Sequence, residues 1–327
     1  MRLAELRGPR DFVVVDADLP VPGRDELLVR VGACGVCASE LSSWTGSRPV
    51  EYPVRIGHEV TGTVVEVGAE VTDFVVGERV AVWATGAGYA EYVSARAEHC
   101  RPVPAAMATE LALLEPIACA SNAVEAADVR LGDRVIVVGA GFMGLLVTRL
   151  LALRGVTQLI VADSRPDTLK LARTLGATET VDVSREPLED AVERLTGGRG
   201  MDMTFEVTGA QSALDVIGDL TRMSGTLVLV GFHLGEPRRI PLAQWNWLAF
   251  RLVNAHFRDP AVIMRGMSVG MALLATGQLD LSRLVTHRFA LEDVNEAFAA
   301  AVSKPEGFVK AVVEIEPAAV GAEEEHG

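Results

Sequence analysis

Lysine is nearly absent from this 327-residue chain: Lys170, Lys304 and Lys310 are the only three among 30 basic residues. Arginine supplies the rest, which, with the abundant alanine, points to a GC-rich genome and says nothing of function. Cysteine is also scarce. Cys34, Cys37, Cys100 and Cys119 are too few and too unevenly placed for a disulfide scaffold. No uncharged run approaches the ~20 residues that span a membrane. The opening stretch, M-R-L-A-E-L-R-G-P-R, lacks the apolar segment of a secretory leader. A soluble, cytoplasmic protein is expected. The net charge of −14 argues against nucleic acid or an anionic membrane as a partner.

What is present falls into two patterns. Up to about residue 100 there are short valine-rich stretches separated by glycine turns: Val13–Val15, Glu26–Val31, Val60–Val67, Arg79–Val82 and Ala90–Val93. They predict an all-β, barrel-like lobe. From about Pro104 to residue 126 good helix formers dominate, with Pro116 as an interruption. From Gly132 strands alternate with helices: Val135–Val138, Leu159–Ala162, Glu179–Val183, Met203–Val207 and Thr226–Gly231, with helices such as Pro166–Leu175 and Leu188–Leu195 between them. This predicts a doubly wound parallel sheet. The expected division is a β lobe over 1–122 completed by 262–316, a dinucleotide-type lobe over 123–261, and a disordered tail at 317–327. The final strand, Val309–Ile315, is expected to return to the β lobe.

The second lobe opens on an apolar strand, the turn Gly139-Ala140-Gly141-Phe142-Met143-Gly144, a helix, and a strand ending on Asp163. Each part has a mechanical role in holding a dinucleotide. Gly139 makes the tight turn, Gly141 lets backbone N–H groups reach a pyrophosphate, and Gly144 lets the helix pack on the strand. Phe142 and Met143 open the helix, whose N-terminus turns partial positive charge toward the phosphates. Asp163, 24 positions after Gly139, falls where a carboxylate takes ribose hydroxyls. A nicotinamide cofactor is expected.

In the β lobe, Cys37 is followed 21 residues later by His58 and then Glu59, with Glu115 well downstream. A thiolate, an imidazole and carboxylates form the ligand set of a catalytic zinc that keeps one position open. Singly, each has an ordinary explanation: a packed thiol, a satisfied core histidine, the end of a helix turn. Their order around the dinucleotide motif is what gives them weight.

On C-G-V-C-A-S-E, G-H-E-V-T-G-T-V-V-E-V-G, G-E-R-V-A-V, L-L-E-P-I-A-C, G-A-G-F-M-G, F-E-V-T-G and T-H-R-F, the chain resembles the medium-chain dehydrogenase/reductase superfamily. The likeness runs nearly the whole length and is to the zinc-dependent alcohol and polyol dehydrogenase branch. It implies an α/β protein, a Rossmann doubly wound sheet plus a GroES-like β-barrel catalytic domain. It implies Cys37 and His58 as zinc ligands, Glu59 as an inner or near ligand, and Glu115 as third ligand or water-mediated partner. Ser39 matches the residue that bonds the substrate hydroxyl and passes on its proton. Glu40 stands where the family usually has an aspartate orienting the histidine. Thr208, Val230 and Gly231 fall where the family's backbone meets the nicotinamide and its ribose.

Three departures refine this expectation. The stretch W-A-T-G-A-G-Y-A-E-Y passes through without the four-cysteine lobe that binds a structural zinc, so one Zn2+ per chain is expected, not two. Ser42 replaces the relay histidine of some alcohol dehydrogenases, which sends the proton out through water. Glu40 adds a methylene to the usual aspartate. Ser164-Arg165-Pro166 matches a segment that binds NADP in some relatives, but Asp163 replaces the glycine before it. The carboxylate repels a 2′-phosphate, so NAD is expected, with NADP possible.

The substrate is weakly encoded. The resemblance points to a secondary alcohol or its ketone, on a polyol, cyclitol or sugar-derived metabolite. Trp44, Ser42, Asn122 and His256 are pocket candidates. Arg288 and Lys310 are either near the cofactor cleft or surface charges, and Cys34 is read as a packed residue. Cys119, four residues after Glu115, faces the nicotinamide or substrate, or packs in the domain junction. The aromatic run Gln244–Phe250 is a dimer contact or core, in a homodimer or homotetramer. The rival readings are a zinc-free NADPH-dependent quinone or enone reductase, and a non-catalytic dinucleotide-binding protein.

Overall fold

Alternating valines form the strands of the first lobe. The computed structural model describes residues 1–315 except Thr85 and Leu234, so the expected tail lies outside the described residues. The lobe contains β1 (Arg2–Gly8), β2 (Asp11–Asp16), β3 (Glu26–Gly35), α1 (Ala38–Thr45), β4 (Glu59–Val67), β5 (Arg79–Trp83), β6 (Tyr92–Arg96) and β7 (Cys100–Pro102), and closes on α2 (Leu114–Ala126). β1 and β2 pair as a separate hairpin. β3 is the hub: β4 pairs along one edge, and β6 takes Glu26–Arg30 on the other.

Residues 104–113, expected to be helical, form only a 3₁₀ turn at Thr109–Leu111. The helix starts at Leu114, and Pro116 sits in its first turn. An N–H there has no intrahelical partner to lose, so this proline begins the helix rather than interrupting it.

The second lobe contains β8 (Arg134–Val138), α3 (Phe142–Leu153), β9 (Gln158–Asp163), α4 (Pro166–Thr174), β10 (Glu179–Asp182), α5 (Leu188–Thr196), β11 (Met201–Glu206), α6 (Gln211–Leu220), β12 (Thr221–Leu229), α7 (Leu242–Trp247) and β13 (Arg251–Asn254). All six strands are parallel, in the order β10-β9-β8-β11-β12-β13. The sheet is covered on both faces. Val135 and Val137 enter one apolar layer and Ile136 and Val138 the other, which is why these strands read as unbroken apolar runs.

The described residues end with α8 (Pro260–Ala275), β14 (Val285–Ala290), α9 (Val294–Ser303) and β15 (Lys310–Glu314). The Asp259 carboxylate accepts the Ala261 N–H and Pro260 opens α8, a well-formed helix start. β15 returns to the first lobe as expected, antiparallel to β3 with Val312 opposite Gly35.

α2 and α8 pack between the lobes in one continuous apolar cluster with Ile117, Ala118, Met264 and Met267. The crossing is close because α8 presents glycines: a Cβ on Gly270 would stand 2.7 Å from Ile117, and one on Gly266 2.9 Å from Ala118. Gly270→Val should therefore overpack the crossing and cost about 2 kcal/mol, read as a lowered urea midpoint. An unchanged midpoint would mean the helices do not approach this closely.

Candidate metal and cofactor site

Register in the first sheet assembles the polar cluster. Gly35, at the end of β3, lies opposite Glu59, the first residue of β4. Cys37 follows two residues later as the extended residue preceding α1, with Ser39 and Glu40 in that helix's first turn. Space is made by glycine: a Cβ on Gly35 would stand 2.1 Å from Glu59 Oε2. Gly57, at φ +108°, packs against Gly88 and Tyr89, whose backbones would lie 2.9 Å from a Cβ there.

Donor atoms of Cys37, His58 and Glu59 lie within 4.8 Å of one another. Glu40 organises the histidine. Its Oε1 accepts from His58 Nδ1 at 2.9 Å and the Gly57 N–H at 2.7 Å, and its Oε2 accepts from the Tyr89 hydroxyl at 3.0 Å. A carboxylate only accepts, so Nδ1 carries the hydrogen and Nε2 is left as a ligand atom. The extra methylene of Glu40 is thus accommodated. The Ser39 hydroxyl donates to Cys37 Sγ at 3.2 Å.

Lys310 reaches the same cluster from β15. Its Nζ lies 2.8 Å from Glu59 Oε1, 2.6 Å from Oε2, 2.8 Å from the Val36 carbonyl, and 4.8 Å from the Phe142 ring centre. The two side chains are 6% and 1% exposed. Glu59 Oε2 makes this charge contact without an aligned hydrogen bond, which leaves it a lone pair for another cation. Burial opposes a charged His58, yet Cys37 and Glu40 push its pKa up to about 12. Soft sulfur, imidazole nitrogen and carboxylate oxygen suit zinc.

Glu115, in the first turn of α2, lies outside the three-donor cluster. Its Oε1 accepts from Cys119 Sγ at 3.4 Å. Burial pushes its pKa up, with His58 opposing and Glu59 adding. Cys119 thus faces Glu115, while burial and Glu115 raise its thiol well above the usual range.

The cofactor turn has the expected geometry. Gly139 has φ +108°, and a Cβ on Gly144 would stand 1.8 Å from the Gly139 carbonyl oxygen. Gly141 is open: only the Arg165 guanidinium, at 4.0 Å, would approach a Cβ there. That opening, at the start of α3 with Phe142 and Met143, could hold a diphosphate. Asp163 Oδ2 accepts the Ala140 N–H at 2.7 Å, and its Oδ1 accepts the Arg165 N–H at 3.0 Å and Nε at 3.3 Å. Arg165 also donates to the Phe308 carbonyl at 3.0 Å, which ties the two lobes. Ser164 is exposed. Thr208 is pressed against Gly139, where a Cβ would stand 2.8 Å from its methyl.

The chain matches the alcohol dehydrogenase GroES-like domain over residues 23–105 and the zinc-binding dehydrogenase family over 143–259. Sorbitol dehydrogenase of Gallus gallus is 31% identical over 88% of this chain and 89% of its own. This chain belongs to the zinc-binding dehydrogenases of the medium-chain superfamily. L-threonine 3-dehydrogenase of Ruegeria pomeroyi is 29% identical, covering 94% of this chain and 98% of that one. The solved 2R,3R-butanediol dehydrogenase of Bacillus subtilis superposes with a TM-score of 0.82 at 27% identity, covering 96% and 99%. The zinc-binding dehydrogenase is thus an oxidoreductase of the alcohol-dehydrogenase type with an NAD(P) lobe and a GroES-like lobe.

Several pocket candidates lie elsewhere. Trp44 is 4% exposed and packs on Phe298 in the β-lobe core, its Nε1 donating to Asn295 Oδ1 at 3.2 Å. Asn122 is buried between α2 and α8, donating to the Val262 carbonyl at 3.1 Å. Both are drawn inward because each finds a polar partner inside the protein. The Ser42 hydroxyl is buried without a partner among the described residues. Arg288 pairs with Glu314 and Glu110 at the surface. Cys34 is buried and donates weakly to the Gly35 carbonyl at 3.8 Å. In the aromatic run, Trp245 is core of the second lobe and Trp247 is 80% exposed. Reading the sequence left Lys310 undecided, although a lone lysine inside an apolar strand of a lysine-poor chain was the available signal.

Lys310→Met would strand Glu59 as a buried charge and should cost about 3 kcal/mol in chemical denaturation. Adding Glu59→Gln to that variant should recover most of the loss. A cost under about 1 kcal/mol for the single variant would show that the pair is not desolvated as the structure has it.

Proposed function

We propose that this chain is a zinc-dependent NAD(H) dehydrogenase interconverting a secondary alcohol and its ketone, on a polyol, cyclitol or sugar-derived metabolite. The observation that carries the reading is the convergence of Cys37, His58 and Glu59, joined through Lys310 to Phe142 of the glycine turn. Metal donors and cofactor cradle thus share one buried cation.

Cys37, His58 and Glu59 would hold the metal, with Glu115 beside them as an alternative or water-mediated ligand. A bound zinc supplies Lewis acidity to an alcohol or carbonyl oxygen, and a bound nicotinamide takes or gives the hydride. Ser39, which donates to Cys37 Sγ, would accept the substrate proton and release it to water. Glu40 fixes the His58 tautomer. Gly139, Gly141 and Gly144 shape the diphosphate cradle, Thr208, Val230 and Gly231 the nicotinamide side, and Asp163 with Ser164 and Arg165 the adenosine ribose. The catalytic lobe is taken as 1–122 with 262–316 and the dinucleotide lobe as 123–261, in a cytoplasmic homodimer or homotetramer. The likeness to sorbitol dehydrogenase supports a polyol-type substrate.

The donor set argues against a zinc-free quinone or enone reductase, which has no use for it. Elemental mass spectrometry on protein purified without chelator should find about one zinc per chain. Cys37→Ala should lose that zinc and at least about 99% of turnover on a polyol panel, while NADH binding changes less than about threefold. Two zincs would reveal a further site. None after reconstitution, or a fully active Cys37→Ala, would favour the reductase or a non-catalytic binder. Asp163 is the expected barrier to NADP, so Asp163→Gly should raise the NADP to NAD ratio of kcat/KM by about tenfold or more. An unchanged ratio would assign the choice of cofactor to other residues.

A further inference from the structure

A second buried polar cluster lies at the carboxyl ends of β11 and β12, away from the metal donors and beside the glycine turn, which its Thr208 touches at Gly139. Glu206, the last residue of β11, is fully buried, and its carboxylate accepts four hydrogen bonds. These come from the Thr208 N–H and hydroxyl at 2.7 and 2.5 Å, the Gly209 N–H at 2.9 Å, and His233 Nε2 at 2.8 Å. The Val230 and Gly231 N–H groups donate to the Glu206 carbonyl at 2.8 and 2.9 Å. Gly231 leaves room for this, because a Cβ there would stand 2.3 Å from Glu206 Oε2.

An ionised carboxylate has only lone pairs to offer, so His233 Nε2 carries the hydrogen in its contact with Glu206. In the neutral ring Nδ1 is then a bare acceptor. That atom is buried and has no hydrogen-bond partner among the described residues, although the side chain as a whole is 15% exposed. Buried polar atoms without a partner are rare in native proteins and ask for a missing one. The missing partner here is a donor.

Topology indicates which donor. Asp163 ends β9, on one side of β8, and β11 and β12 lie on the other side. A dinucleotide crosses a doubly wound sheet outside the strands' carboxyl ends, where the strand order reverses. With its adenosine ribose at Asp163 and its diphosphate at Gly141, the far half passes over the ends of β11 and β12. We propose that His233 is a cofactor-binding residue whose Nδ1 accepts a hydrogen bond from a hydroxyl of the nicotinamide-side ribose. Glu206 is the positioning residue that holds the ring in the required tautomer. This rests on the dinucleotide reading above.

ADP and ADP-ribose differ by that second ribose, so titration calorimetry on the full-length, metal-replete protein isolates the contact. His233→Ala should weaken ADP-ribose and NADH about tenfold and leave ADP within about twofold. His233→Phe, which keeps the ring volume without its nitrogens, should do the same and guards against a collapsed turn in the alanine variant. Wild-type affinity for ADP-ribose in either folded variant would overturn the assignment. Equal weakening of ADP and ADP-ribose would also overturn it, since His233 would then only brace the Glu206 turn. A wild-type protein that binds neither ADP nor ADP-ribose would instead remove the dinucleotide reading, and this inference with it.

Discussion

Burying a carboxylate costs several kcal/mol unless its counter-charge is buried with it, and Glu59 is 1% exposed beside Cys37 and His58. Lys310 meets that demand, and it comes from the last strand among the described residues. Its arrival requires β15 to pair with β3, which requires the polypeptide to leave the first lobe, build the Rossmann sheet and return. The same ammonium lies on the Phe142 ring at the head of α3. One ion pair therefore couples the closure of the first sheet, the Cys37, His58 and Glu59 cluster and the head of α3.

The cofactor side is built on a similar economy of polar groups. Asp163 accepts the Ala140 N–H and two donors of Arg165, so the acid shapes the glycine turn before any ligand arrives. Glu206 does the equivalent for the turn after β11, taking three donors from Thr208 and Gly209 and one from His233. Each carboxylate terminates a parallel strand where successive backbone N–H groups have lost their sheet partners, and each supplies acceptors in their place. Rigid turns of this kind reduce the ordering cost of binding a long, flexible dinucleotide.

The central strands of the second lobe were legible to within a few residues, except that β12 starts at Thr221, because burial on both faces demands continuous apolar runs. The edges were not. β13 has one neighbour and reads Arg-Leu-Val-Asn, with Arg251, Leu252 and Asn254 exposed, so no apolar signal marks it. β7 is only three residues long, and β1 draws on bridges to Ala90 and Val54, distant within the same lobe, that sequence spacing does not express. Good helix formers at 104–113 stayed unwound because propensity is a weak prior without a face to bury. At the site, Cys37, His58, Glu59 and the glycine turn could be picked out as a set. Lys310 could not be placed, and His233 was not singled out, since each depends on a partner from a distant element.

The amino-acid sequence by itself determined the class of the protein. Local order suffices for a glycine turn between strand and helix, an acid at the next strand end, and a Cys, His-Glu, Glu succession, since each needs only neighbours along the chain. The tertiary structure decided which polar side chains face which. It gave Glu59 to Lys310, Glu206 to His233, Trp44 to the core and Arg288 to the surface. Those choices follow from desolvation: a charged or hydrogen-bonding group is buried only where folding brings it a partner, and these partners stand up to 251 residues away.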